Sequence, residues 1–467
     1  MLPWVTSGKR GAPTVGIMTA LPPLPTTVAA TRVWTGAAFQ PATVRIADGV
    51  ITAVDTFDPA ADLVLGDERM LLPGLVDSHV HLDEPGRTEW EGFATGTAAA
   101  AAGGVATVLD MPLNSVPVTT TVEALAEKRA AADGKLAVDV GYWGGAVPEN
   151  LGALAALDAA GVVGFKCFLS PSGIDEFGHL DADQLGVALA EIARLGSILI
   201  VHAEDPSHLH ADGPLGDVYT DFVASRPPRS EREAILAVID ASRRTRGRAH
   251  IVHVSDGGAL DAVRAAKAEG VPLTVETCPH YLTLRAEDVP AGAAEFKCCP
   301  PIRDAANQDL LWQGVLDGTI DAIVSDHSPS TPDLKSSPDF GLSWGGISGL
   351  QTGFSAVYTE AHRRGVAIER LLPLFTTGPA RIGGLGGRGR LAAGEPAHLV
   401  VFDPDLERRV DAALLEYRNK MSPWHGRSLR GAVEATYVHG GLAYAPSVGV
   451  VDRRGREILA GSASEAE

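Results

Sequence analysis

His79 and His81 stand one residue apart just beyond the apolar run Leu72-Pro73-Gly74-Leu75-Val76. Such a run reads as a buried strand, and alternate side chains on a strand share a face, so both imidazoles would point the same way at its end. Two imidazoles held like that make half a metal site. Taken alone, a His-x-His pair fits chance or ordinary polar packing as well. Other apolar runs close on polar groups too: Lys166 in Val163-Gly164-Phe165-Lys166-Cys167-Phe168, His202 in Ile200-Val201-His202, His253 in Ile251-Val252-His253 and Asp326 in Val324-Ser325-Asp326. Each could singly be a satisfied core histidine or a capping aspartate. Their common placement at strand ends predicts one shared site.

Lys166 is the most informative of the set. An ammonium between Phe165 and Cys167 in a buried strand costs several kcal/mol unless it is paired or neutralised. It could snorkel out of the strand end or pair with Asp175 or Glu176. Alternatively the amine has reacted with carbon dioxide, and the carbamate's two oxygens serve as an anionic ligand bridging two cations.

The elements that must position these groups alternate. Besides the run before His79, short apolar runs occur at 104–109, 136–141, 162–168, 198–201, 249–254, 273–276 and 320–325. Amphipathic, alanine-rich segments separate them, among them 122–133, 182–195, 231–245 and 258–270. Eight strands with crossover helices predict an α/β fold, a (β/α)8 TIM-like barrel, in which functional groups collect at the C-terminal strand ends. A doubly wound open sheet is the alternative, weakened by the lack of a Gly-x-Gly-x-x-Gly turn after the first strand. Strand-like text around the Asp48-Gly49 turn returns late, at 397–403 and 435–441, so both chain ends are expected to build one small β-sandwich domain. The expected division is 27–73 with 391–447 for that domain, 74–390 for the barrel and 448–467 for a C-terminal tail.

At 467 residues the chain exceeds what one growing core accommodates, consistent with a large and a small domain. A formal net charge of -19 argues against nucleic-acid and anionic-membrane partners, which need clustered Lys and Arg. Cys167, Cys278, Cys298 and Cys299 lack zinc-pair spacing, and so few in a long chain fits free thiols and a cytoplasmic location. Residues 1–26 are expected to be a disordered extension, with Met18 as an alternative start of translation. Pro22, Pro23 and Pro25 break its apolar run, against a signal or membrane span.

Longer motifs surround the strand ends: Asp77-Ser78-His79-Val80-His81-Leu82-Asp83-Glu84-Pro85-Gly86-Arg87, Asp110-Met111-Pro112-Leu113-Asn114-Ser115, Ser172-Gly173-Ile174-Asp175-Glu176-Phe177, Cys278-Pro279-His280-Tyr281-Leu282, Cys299-Pro300-Pro301-Ile302-Arg303 and Ser325-Asp326-His327-Ser328-Pro329. With them, residues 27–445 resemble the cyclic amidohydrolases of the amidohydrolase superfamily, and among these the allantoinases. The resemblance implies that His79, His81 and Asp326 bind one divalent metal, that His202 and His253 bind a second, and that carbamylated Lys166 (N6-carboxylysine) bridges them. Zinc is the first expectation, with cobalt, manganese, iron or nickel compatible with the same donors. It implies a homo-oligomer, a tetramer, as well. Opening a cyclic amide needs a strong nucleophile and a polarised carbonyl, which a two-metal site with its hydroxide supplies. Asp326 would then shuttle the proton from that hydroxide to the departing ring nitrogen.

Substrate choice turns on Asp83. Dihydroorotases resemble this stretch but carry arginine there, which pairs with a substrate carboxylate. A carboxylate at that position would repel an anion, so a small neutral cyclic amide such as allantoin is expected, ahead of the hydantoin and dihydropyrimidine rings of related enzymes. Asn114, Cys299 and Arg87 are candidate substrate contacts, although Asn114 could equally be a turn residue. His280, His327 and Glu204 adjoin the site in sequence as candidate orienting groups. A metal-free scaffold relative is the rival from another functional class.

Overall fold

A computed structural model describes residues 25–210 and 213–460. Met18, most of the expected N-terminal extension and the end from Gly461 lie outside these residues. Eight parallel strand positions follow one another around a ring: β1 Leu75–Val80, β2 Val105–Asp110, β3 Asp139–Tyr142 continued by Gly144–Gly145, β4 Phe165–Phe168, β5 Ile198–His202, β6 Arg248–Ile251, β7 Leu273–Thr277 and β8 Ala322–Ile323. Each pairs with the next in parallel register, for example Lys166 with Ile200 and Val201 with Ile251. The ring closes where Val80 bridges His327 and where Asp77 Oδ2 accepts the Ser325 N–H at 3.0 Å. The barrel expected from the alternating runs is therefore present, and the open doubly wound sheet is not.

The crossovers form where helical periodicity and caps agree. Ala182–Leu195 starts at Asp181, whose carboxylate accepts from Gln184 N while the Gln184 side chain accepts from Asp181 N, and it ends at Gly196 in the left-handed region. Val76, Leu109, Trp143, Ile198, Ile200, Val252 and Val324 fill the lumen as a distinct apolar cluster. A larger cluster lies between strands and helices. The lumen is thus a packed plug on which the strand ends rest.

Nine strands from both chain ends hydrogen-bond into one further sheet, joined where Met70–Pro73 runs antiparallel to the start of Leu399–Arg409. On that strand Val400 and Phe402 enter the large cluster while Leu399 and Val401 enter a small one with Val28, Val44 and Ile51. Period-2 alternation buries both faces and welds the sheet to the barrel. The connection is direct: Gly74 follows the sheet and precedes β1, and a Cβ there would stand 2.5 Å from Ala106 Cβ and 2.7 Å from His398 Cβ.

The segment from 448 differs from the expected tail. Gly449–Val450 extends the terminal sheet, and Glu457–Ile458 pairs in parallel with β3. The lower half of β3 has no partner on that side until Gly144, so an open edge is available, and a two-residue strand fills it. Among the described residues no helix is long and apolar enough to cross a membrane.

Candidate functional site

The C-terminal strand ends open into a cavity of about 270 Å3 whose lining includes His79, His81, Lys166, His202, His253 and Asp326. All six predicted donors are brought together. His79 Nε2 lies 3.1 Å from Asp326 Oδ1, and His81 Nε2 lies 3.7 Å from the same oxygen. His202 Nδ1 and His253 Nε2 face each other at 3.0 Å. His253 and Asp326 adopt positive φ (39° and 44°), a sparsely populated backbone region for such residues that concentrates at functional sites.

The ionisation states suit cation binding. Burial pushes His81 down to about 3 and His253 well below the ordinary imidazole value, so both are neutral with a lone pair to give. Burial alone would raise Asp326, yet the imidazoles of His79, His253 and His81 hold it well below the carboxylate range. His202 donates Nε2–H to Glu204 at 2.8 Å, leaving Nδ1 bare toward His253. His253 Nδ1 is buried without a hydrogen-bond partner. His79 is the exception, its pKa raised by Asp326 and Glu276 against burial. Neutral His81, His202 and His253, an ionised carboxylate and an orphaned ring nitrogen around one cavity fit divalent cations.

Lys166 is 1% exposed, and no carboxylate pairs with it among the described residues. It does not snorkel, and Glu176 instead pairs with Arg87 at 3.1 Å. Its Nζ lies 5.0 Å from the Phe168 ring centre, and burial lowers its pKa to about 8. At pH 7 roughly a tenth of such amines are unprotonated, far more than for an ordinary lysine.

The substrate candidates separate. Asn114 and Cys299 line the cavity. Asn114 serves both readings, since its backbone is left-handed (φ 68°) and its amide meets His81 Nδ1 at 3.3 Å. Arg87 is absent from the lining: it donates to Asn114 O at 3.0 Å and covers the Trp90 ring at 5.1 Å, bracing the rim. Asp83 is 1% exposed and also absent from the lining. Burial, with Asp110 and Glu91 beside it, pushes its carboxyl well above the ordinary range. The repulsion expected from its charge therefore does not operate, and only the lack of an arginine remains of that argument.

Of the orienting candidates, Glu204 holds His202, and Arg226 pins Glu204 in turn with Nη2 at 2.5 Å. Cys278, His280 and Asp326 offer donor atoms within 4.8 Å of one another. His327 carries the His81 N–H on its carbonyl at 2.8 Å, and its ring lies against Tyr417. Glu276 was missed, although it sits in a predicted strand run: it accepts from His79 Nδ1 at 2.6 Å and His250 Nε2 at 2.9 Å. Arg226, Lys297 and Trp344 line the cavity from loops and helix ends with no sequence signal. All four cysteines are free.

Residues 70–443 match the amidohydrolase family. The chain is 54% identical over 416 residues to an allantoinase from Streptomyces avermitilis, covering 88% of this chain and 93% of that one. It is 42% identical to an allantoinase from Arabidopsis thaliana, covering 81% and 78%. The solved L-hydantoinase (dihydropyrimidinase) from Arthrobacter aurescens superposes with a TM-score of 0.86 at 28% identity, covering 92% and 99%. Fold, site and relatives agree: the chain belongs to the amidohydrolase family.

Proposed function

We propose that this protein is an allantoinase, a hydrolase that opens the cyclic amide of allantoin to allantoate, working in the cytoplasm as a homotetramer. The chemistry belongs to the barrel between 74 and 390, with 27–73 and 391–447 as its support. The observation that carries the reading is the convergence of six donors on one cavity, with an ionised Asp326 and neutral His81, His202 and His253. Substrate choice rests on the likeness to the named allantoinases.

His79, His81 and Asp326 would hold one divalent cation, His202 and His253 a second, and Lys166 both, once its unprotonated amine has added carbon dioxide and released a proton. Zinc is the first choice of metal, with cobalt, manganese, iron and nickel compatible with these donors. Two such cations supply polarisation of the amide carbonyl and acidification of the attacking water. Asp326 accepts the proton that water gives up as its oxygen bonds to the ring carbon, and returns it to the ring nitrogen as the C–N bond breaks. Glu204 and Glu276 keep His202 and His79 in the tautomers that leave the inward nitrogens bare. Asn114 and Cys299 stand where the ring edges would lie.

The test is ring opening of allantoin, dihydroorotate, hydantoin and dihydrouracil by purified, metal-analysed protein. Preference for allantoin with about two metals per chain supports the reading. Preference for hydantoin or dihydrouracil, the rings suggested by the solved neighbour, overturns the substrate. A protein that takes up no metal supports the scaffold rival.

A further inference from the structure

One wall of the cavity consists of Cys298, Cys299, Ser328 and the run Ser343-Trp344-Gly345-Gly346. That run lies outside helix and strand and contains two glycines, so its conformation depends on what grips its main chain. Two lysines grip it. Lys335 Nζ donates to Ala294 O at 3.2 Å, Trp344 O at 3.0 Å and Gly346 O at 2.8 Å. An ammonium has three N–H donors, and here all three go to main-chain carbonyls. Lys297 Nζ donates to Ser343 O at 2.5 Å, while its own carbonyl accepts from Gly346 N at 2.8 Å. Neither ammonium has a carboxylate partner among the described residues; carbonyls, and for Lys297 the face of the Phe222 ring 5.2 Å from its Nζ, offset the cost of burial.

The run has no slack on its other side. Gly346 has φ 120°, and a Cβ there would collide with Ser328 O. The peptide between Trp344 and Gly345 gives its carbonyl to Lys335, and its N–H meets no acceptor among the described residues. The wall therefore keeps a free donor whose direction is set through that peptide.

We propose that Lys335, with Lys297, is a positioning residue for substrate: the two ammonium groups fix the main chain of residues 343–346 against Cys298 and Cys299. They thereby set the shape and donor direction of the wall that meets a small, neutral, carbonyl-rich ring. This deepens the cyclic-amide reading and rests on it. The gripped main chain carries no proton-transfer group, so it holds the ring alike in ground and transition states, and its loss falls on KM rather than kcat. Burial lowers Lys335 to about 8, with Cys298, Glu295 and Cys299 favouring the charge and Lys297 opposing it. As pH rises past that value the ammonium loses a donor and one wall carbonyl goes unserved.

The experiment compares kcat, KM and metal content of metal-loaded wild-type protein and Lys335→Met on allantoin across pH. In the variant KM is expected to rise at least about tenfold, with kcat within about threefold and metal content unchanged. Wild-type KM should climb from about pH 7 to 9, and that of the variant should not. Unchanged KM in Lys335→Met overturns the proposal, as does a parallel loss of kcat and metal. If the variant does not fold, the wild-type profile decides: a flat KM overturns the proposal and a rising one supports it. A wild-type protein that does not open allantoin sinks the functional reading and this role together; normal wild-type turnover with an unaffected variant sinks only this role.

Discussion

In a Glu276→Gln protein the two imidazoles that share this side chain can no longer both donate to it. Glu276 Oε1 receives His79 Nδ1 at 2.6 Å, Oε2 receives His250 Nε2 at 2.9 Å, and His250 Nδ1 meets Thr274 Oγ1 at 2.8 Å. Burial works against the charge, yet His250 and His79 hold the carboxyl down at about 2, so it is an acceptor only. That keeps a proton on His79 Nδ1, so that Nε2, which faces Asp326 Oδ1 at 3.1 Å, is the nitrogen that would give its lone pair to a cation. Glutamine keeps the size and one acceptor oxygen but turns the other terminal atom into a donor. One imidazole then meets N–H with N–H, or His79 moves its proton to Nε2 and blocks the nitrogen that would bind metal. A charge-assisted bond to a buried group is worth about 1.5–3 kcal/mol. That corresponds to about 10- to 100-fold in affinity, the range found when groups behind metal ligands are changed. The assay is competition of the metal-free protein with a chromophoric zinc chelator, with thermal unfolding as the check on folding. Affinity at the His79 side is expected to fall by that factor while the His202 and His253 side holds. Unchanged affinity for both ions would refute the argument that Glu276 sets the His79 tautomer.

Three further outcomes follow from the same structure. Lys166→Met replaces a buried, unpaired amine by an apolar chain of similar length, so the metal-free protein should unfold no lower than wild type while bound metal and turnover drop to background. A variant that retained both metals would deny Lys166 a ligand role. Glu204, held down by Arg226 and His202 against burial, and Glu276 both lie at about 2 in the fold. Depressed carboxyls stabilise the fold above their ordinary value of about 4.5, and this contribution, about 3 kcal/mol each, is lost as pH falls from there toward 2. Calorimetry of metal-free protein should show the melting temperature dropping through that window; a flat profile would contradict it. Trp143→Ala empties the lumen below the site and removes the Nε1 donor to Ser78 O at 2.9 Å, for an expected loss of about 3–5 kcal/mol in urea unfolding. A loss below about 1 kcal/mol would mean that the lumen collapses to fill the space.

The six candidate donors were legible because a barrel turns a linear signal into a spatial one. Every strand ends on the same rim, so a polar residue closing an apolar run is placed without any knowledge of its partners. His202, His253 and Lys166 needed only that rule. Glu276 obeyed it and was still passed over, because its meaning lies in His79, 197 positions away, and in His250. Lys335 closes a single turn of 3-10 helix and Lys297 follows another, segments too short to show a period, and the carbonyls they serve are chosen by packing. The pairing of Glu457–Ile458 with β3 was equally hidden, since two residues carry no alternation to read.

Asp83 and Asp326 mark the limit most sharply. Both follow a histidine-bearing or apolar strand end, and both adopt positive φ (61° and 44°). Asp326 lies among the imidazoles of His79, His253 and His81, which keep it ionised against burial. Asp83 lies beside Asp110 and Glu91, which add to burial and favour its protonated form. The charge that the sequence suggested would face a substrate is thus suppressed at one aspartate and preserved at the other. Residue type and spacing nominate a ligand, while the sign of its neighbours decides whether it carries charge, and those neighbours come from strands and loops far apart in the chain.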